Sequence, residues 1–238
     1  MDLDARLQDA VQHFWDARAR QKKKQEDSGR IDAGTRGAVT GGTQMGALEV
    51  LVTDVLVEAG LDQLDIRSRT ALELPGYYRP EKKWDLIVVS CGQLVAVVEF
   101  KSQVGPSFGN NFNNRTEEAI GSASDLWVAF REGRFGNAPA PFLGYLFVLE
   151  DCPEVKKPVR IAEPVFKVDP EFRLSSYSQR YELFQRRLVL ERLYTAASLI
   201  LATPETPTRI TQPAEDLTFR RFVAAIRGHT TTFLGSQP

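Results

Sequence analysis

At 238 residues, with 42% hydrophobic and 26% charged residues, the chain is long enough to bury a full core and has an ordinary globular composition. A formal net charge of −1 argues against a uniformly basic nucleic-acid coat protein, but an acidic site and a basic cleft can cancel in that sum. The only cysteines, Cys91 and Cys152, exclude a disulfide framework and a Cys-rich zinc site, and no apolar run approaches the roughly 18 residues of a membrane span. The start, MDLDARLQDAVQ, lacks the basic-then-apolar order of a signal peptide, so a cytoplasmic protein is expected.

Residues 3–24 carry a helical pattern, with Leu3, Leu7, Val11, Phe14, Trp15 and Ala19 spaced for one apolar face. Lys22, Lys23 and Lys24 suit the C-terminal end of its dipole. Residues 25–42, polar and rich in glycine, are expected to form a mobile loop. A second helix is predicted at 45–59, with Leu48, Leu51, Val52, Val55 and Leu56 inward and Gly60 as its stop. LDIRSR at 64–69 alternates like a short strand, and LPGYYRP at 74–80 reads as a turn between prolines.

The stretch from Lys83 to Lys101, KWDLIVVSCGQLVAVVEFK, predicts a β-hairpin: two runs rich in valine around Cys91-Gly92-Gln93. A three-residue loop centred on Gly92 pairs Ser90 with Leu94, Asp85 with Glu99 and Lys83 with Lys101. Trp84, Leu86, Val88, Val98 and Phe100 then share one face, and Ile87, Val89, Val95 and Val97 the other. Like charges placed directly opposite are unfavourable, so the Asp85–Glu99 face asks for a cation.

VGPSFGNNFNNR at 104–115 is read as a Gly- and Asn-rich loop, with Asn114 available to cap a helix over 114–130. That helix turns Ala119, Ile120, Ala123, Leu126, Trp127 and Phe130 to one side. FLGYLFVLE at 142–150 reads as a buried strand, 151–173 as loop-rich, 177–201 as one long helix with a basic side, and 215–228 as the last helix. Residues 1–238 are expected to form a single α/β domain: a core at about 43–150, extended by the N-terminal helix 3–24 and the C-terminal helices 177–229.

Asp85 followed after thirteen residues by Glu99-Phe100-Lys101 has the form D…ExK. Two carboxylates, with the Phe100 carbonyl as a third oxygen, suit Mg²⁺, which is typically held by one or two carboxylates plus water and phosphate. Lys101, one pleat beyond Glu99, places a cation beside the water or the phosphate. Metal-assisted phosphodiester hydrolysis needs those parts. The bland reading is an edge salt bridge from Glu99 to Lys101 or Lys83; a charged trio in an otherwise apolar hairpin argues against it.

Asn pairs with adenine and Arg with guanine in the major groove, so Asn110, Asn111, Asn113, Asn114 and Arg115 are candidate DNA readers, with turn chemistry as the alternative. Tyr77, Tyr78 and Arg79, just before the Asp85 strand, either contact DNA or pack their own loop. Gly105-Pro106-Ser107-Phe108-Gly109 matches the nucleophile elbow of serine hydrolases, but the strand is expected to end near Lys101 and the helix to start near Asn114. His13 and His229, the only histidines, argue against a His-metal nuclease; His13 is expected to pack beside Phe14 and Trp15.

LPGYYRPEKKWDLIVV, LVAVVEFKSQVGPSFGNNFNNRTEEAIG and LYTAASLI resemble the XhoI family of type II restriction endonucleases, from the first helix to about residue 200. The resemblance implies a restriction-endonuclease-like, PD-(D/E)xK fold: a mixed central sheet flanked by helices, with extra C-terminal helices. It implies a Mg²⁺-dependent homodimer that cuts double-stranded DNA at CTCGAG after the first C, leaving four-base 5′ extensions, and works beside a cognate DNA methyltransferase. The acidic pair and lysine fall on Asp85, Glu99 and Lys101. Trp84 stands where the motif's proline is expected, and Gly46 where relatives are expected to carry an acidic residue, so Glu49 or Asp54 is the candidate substitute. The competing readings are a non-cleaving DNA-binding module of the same fold and a structure-specific repair or recombination nuclease.

Overall fold

Apolar positions at helical spacing bury one side of α1 (Leu3–Asp27), where Leu7, Val11, Phe14 and Trp15 are all inside. Helix α2 (Gly46–Glu58) buries Leu48, Leu51, Val52, Val55 and Leu56 in the same cluster. It stops at Gly60, whose φ of +106° suits a residue without a side chain. The structure is a computed structural model that describes residues 2–27, 44–136 and 138–237. The loop predicted over 25–42 therefore lies, from residue 28 on, outside the described residues; up to Asp27 the chain is still helix.

Six strands form one mixed sheet, in the order β1 (Ile66–Arg67), β4 (Leu86–Ser90), β5 (Gln93–Gln103), β6 (Phe142–Glu150), β7 (Ala196–Ala202) and β8 (Ile210–Thr211). A separate two-stranded ribbon pairs β2 (Glu73–Pro75) with β3 (Glu81–Lys83). The β5–β6 and β6–β7 pairs are parallel; the others are antiparallel. Parallel neighbours need crossover connections, and α3 (Phe108–Arg131) and α5 (Tyr177–Leu190) supply them. Both cover one face of the sheet, while α1, α2 and α6 (Phe219–Gly235) cover the other. The short α4 (Pro153–Lys156) follows β6. With helices on both sides, β6 is buried along nearly its whole length.

The hairpin expected at 83–101 is present with a different turn. Ser90 pairs with Gln93 across a two-residue Cys91-Gly92 turn, in which both residues have positive φ, +50° and +72°. A bulge between Val88 and Val89 then restores the predicted register, so that Leu86 opposes Val98. The bulge moves Val95 to the side of Val88, and Trp84, ahead of β4, packs with Ile87 and Val97 instead of with Leu86. The expected Lys83–Lys101 pair does not form, because Lys83 belongs to β3 and opposes Glu73.

The predicted helix over 177–201 ends at Leu190, and Ala196–Ala202 is a strand beside β6. LYTAASLIL carries no period that separates a buried helix from a buried strand, and the free edge of β6 decides it. The sheet thus continues beyond residue 150. The last helix starts at Phe219 instead of 215, after a single 3₁₀ turn at Glu215–Leu217. Helix α3 begins at Phe108, six residues before the expected start. Its asparagines and Gly109 each cost up to about 1 kcal/mol in helix propensity. Burial of Phe108 beside Tyr177, and of Phe112 against Tyr181 and Phe184, contributes roughly 1.5–3 kcal/mol per fully buried ring and offsets that cost.

Candidate active site

Strand alternation puts Glu99 and Lys101 on the same side of β5 as Val97, and Asp85 reaches them from the residue before β4. Lys101 Nζ lies 2.5 Å from Glu99 Oε1 and 3.5 Å from Asp85 Oδ2. Asp85 Oδ2 also accepts the Phe100 N–H at 2.8 Å. In an extended strand the N–H and C=O of one residue point to the same side, so the Phe100 carbonyl faces the edge where Asp85 sits.

Lys82 was not foreseen here. Its Nζ lies 2.9 Å from Glu99 Oε2 and 3.8 Å from the centroid of the Trp84 ring. Straight continuation of the hairpin pointed to Lys83, but the chain breaks between β3 and β4, and Lys83 is exposed. Burial pushes the Glu99 carboxyl up, yet Lys101 and Lys82 outweigh it and hold it below the ordinary range. Burial pulls the Lys101 ammonium down, but Glu99 and Asp85 more than reverse this. At Lys82 burial prevails, and its ammonium is held below the usual lysine value.

A cleft of about 1150 Å³ opens beside Asp85, lined by α1, α2 and the segment from Ser68 to Asp85. Glu49 of α2 lines it, and its carboxyl is pushed up to about 7, first by burial and then by the charge of Asp85. Asp54 lines it too but is engaged by Arg6 at 3.1 Å. His13 faces this cleft, exposed, and does not pack as expected beside the buried Phe14 and Trp15.

Among the described residues no three His, Cys, Asp or Glu side chains group as a protein-only metal cage. Two carboxylates that share Lys101, with the Phe100 carbonyl on the same strand edge and Asp85 bordering the cleft, are instead an all-oxygen set that suits Mg²⁺, which keeps several waters. The residues present fit that ion.

The predicted DNA-contacting residues fall into two groups. Asn110, Asn113 and Asn114 are exposed on the first turns of α3, and at spacings of three and four residues they share one face. Asn111 is half-buried. Arg115 is largely enclosed: Nη1 lies 2.6 Å from Glu118 Oε2, and its buried Nε has no hydrogen-bond partner. The turn at 76–79 is tied to α3 by Asp125, which accepts the N–H groups of Tyr77 and Tyr78 on Oδ1 and Arg79 Nε on Oδ2. A side chain at Gly76 would come within 2.6 Å of Asp125 Oδ2, so only glycine admits this clasp. Arg79 thus ties its own loop to α3 while remaining exposed, and Tyr78 stays 73% exposed.

The elbow-like Gly105–Gly109 segment has β5 ending at Gln103 and Ser107 at the residue before α3, without a side-chain cap, closer to the hydrolase arrangement than the sequence implied. It still lacks a base: His229 Nε2 is hydrogen-bonded to the Val95 carbonyl at 3.0 Å.

A mixed sheet between helical layers defines an α/β protein, and an acidic pair joined by a lysine lies at its strand β5. The family described as "Restriction endonuclease XhoI" matches residues 24–212. The type II restriction enzyme BstVI of Geobacillus stearothermophilus is 47% identical over 208 residues, covering 84% of this chain and 93% of that protein. The type II restriction enzyme XhoI of Xanthomonas vasicola is 46% identical over 192 residues, covering 80% and 76%. AbrI of Azospirillum brasilense, another type II restriction enzyme, is 46% identical over 184 residues, covering 77% and 80%. No solved structure matches. The chain belongs to the XhoI family of restriction endonucleases, and its class is that of the type II, site-specific deoxyribonucleases.

Proposed function

We propose that this chain makes sequence-specific double-strand cuts in DNA at CTCGAG, with Mg²⁺, leaving four-base 5′ extensions, and that it works as a homodimer whose two-fold axis matches that of the site. A cognate DNA methyltransferase protects the host's own copies of that site. The observation that carries the reading is Lys101 Nζ lying between Glu99 Oε1 and Asp85 Oδ2, at 2.5 and 3.5 Å. The helix-flanked mixed sheet around that trio supports a PD-(D/E)xK core.

In this reading Asp85, Glu99 and the Phe100 carbonyl hold Mg²⁺, which supplies Lewis-acid charge at a phosphate oxygen and an acidified water. Lys101 orients the attacking water and steadies the charge developing on the phosphate. Glu99 keeps Lys101 in place. Asn110, Asn113 and Asn114 read base edges from the exposed face of α3, whose N-terminal N–H groups also favour phosphate. Asn111 and Arg115 support that face from its flank, and Tyr78 and Arg79 bring their turn against the backbone of the same duplex.

The test is a plasmid digest. Discrete fragments with Mg²⁺, lost with chelator or in Glu99→Ala, are the expected result. Intact plasmid under every divalent metal tried, with tight selective binding retained, identifies a non-cleaving module instead; preference for branched over linear duplex identifies a structure-specific nuclease.

A further inference from the structure

Glu99 is held by two lysines on separate oxygens, Lys101 at Oε1 and Lys82 at Oε2. Glu99 and the adjacent Asp85 together balance the two lysines, and buried ion pairs add little net stability over well-packed apolar side chains. A second ammonium, on a side chain only 14% exposed, therefore asks for a further role.

Its surroundings are those of a cation able to change partner. Nζ lies 3.8 Å from the Trp84 ring centroid and donates to the Lys83 carbonyl at 3.2 Å, so two favourable contacts remain when Glu99 turns elsewhere. A flexible stem with a compact charge suits such a shift better than the planar fork of arginine. The lysine also arrives by a separate route. It sits on β3, which pairs with β2 outside the main sheet, and that ribbon is clasped to α3 through Asp125. The helix that exposes Asn110, Asn113 and Asn114 thus also sets where Lys82 stands.

We propose that Lys82 is a second substrate-binding cation of the reaction: it leaves Glu99 when that carboxylate takes up a divalent cation and contacts a non-bridging oxygen of the DNA phosphate in the site. The inference rests on the endonuclease reading. In the free protein two carboxylates balance two lysines. With a divalent cation on the pair, the surplus positive charge matches the double negative charge of a phosphate under attack, which one lysine alone leaves uncompensated.

The test compares native protein, Lys82→Met and Lys82→Cys on a duplex carrying the site that the plasmid digest reveals. Lys82→Met is expected to cut about 100-fold more slowly in single turnover at saturating enzyme. In Ca²⁺ buffer its plot of log K against log salt becomes shallower by about 0.9 per subunit, because each subunit neutralises one phosphate fewer. Aminoethylation of Lys82→Cys restores an ammonium at the same reach and is expected to recover the rate. Native protein carried through the same treatment controls for Cys91 and Cys152. Native protein that cuts, with Lys82→Met within about threefold of its rate and an unchanged salt slope, overturns the assignment and leaves the endonuclease reading intact. Native protein that cuts no DNA removes both. If Lys82→Met does not fold, as judged by circular dichroism, the cysteine variant decides: recovery on aminoethylation supports the role, and full activity before it overturns the role.

Discussion

The carboxylate of Asp85 accepts the backbone N–H of Phe100 at 2.8 Å, although the β4–β5 ladder begins only at Leu86 opposite Val98. A side chain thus continues the ladder one step past its end. The bond pins Asp85 to the strand that carries Glu99 and Lys101, and it requires an acceptor, not a charge.

Asp85→Asn is therefore expected to keep the fold and lose cleavage, because the amide oxygen still accepts from Phe100 while the proposed anionic metal ligand is gone. Asp85→Ala is expected to lose cleavage and, in addition, about 1–2 kcal/mol of stability for the unpaired N–H. Urea unfolding of the two variants in chelator separates the structural part from the chemical one.

Glu99→Gln leaves Lys101 and Lys82 without their buried counter-charge. Removing one partner of a buried pair costs about 3–5 kcal/mol, so this variant is expected to be both inactive and clearly destabilised. Equal stability of variant and native protein would show that the two lysines reach water freely.

Glu49 links stability to pH. Burial and the Asp85 charge, partly opposed by Arg69, raise its carboxyl from an ordinary 4.5 to about 7. Between those values the folded protein holds a proton that the unfolded chain has released. The contribution is full below about 4.5 and is lost as pH rises through about 7. In metal-free buffer Glu49→Gln is expected to flatten the decline in native stability between pH 5 and 8, measured by urea unfolding. Parallel curves for the two proteins would contradict it.

Asn113 is exposed, so Asn113→Ala is expected to change stability by less than about 0.5 kcal/mol. Its loss of DNA affinity is expected at about 1–3 kcal/mol, confined to the cognate sequence. Arg79→Ala instead frees Asp125 from one of its three partners. It should weaken binding to cognate and unrelated duplexes alike. Fluorescence anisotropy with both duplexes distinguishes the two patterns.

How far the sequence carried depends on what each residue had to compete with. The Asp85–Glu99–Lys101 grouping was legible because period-2 alternation survives along β5, and the bulge at Val88–Val89 compensates the error made at the turn. The turn itself was misjudged because Cys91 adopts positive φ, which its residue type does not advertise. Lys82 was invisible to a reading that ran one strand through Lys83 and Trp84, since β3 and β4 belong to different sheets. Strand β7 was hidden in an apolar run whose partner, β6, lies some fifty residues away in the chain. The asparagine-rich segment looked like loop because local propensity disfavours helix there. Phe108 and Phe112, packed on α5, override it. That correction strengthens the proposed base-reading role, since a helix holds Asn110, Asn113 and Asn114 on one face where a loop would not.

Sequencing the ends produced from a plasmid of known sequence tests the central claim most directly, because it reports cleavage, site and stagger together. The account predicts that, with Mg²⁺, every end maps to CTCGAG and carries a 5′-TCGA extension, and that Glu99→Ala yields none. Ends scattered over unrelated sequences, or cutting that persists in Glu99→Ala, would contradict it.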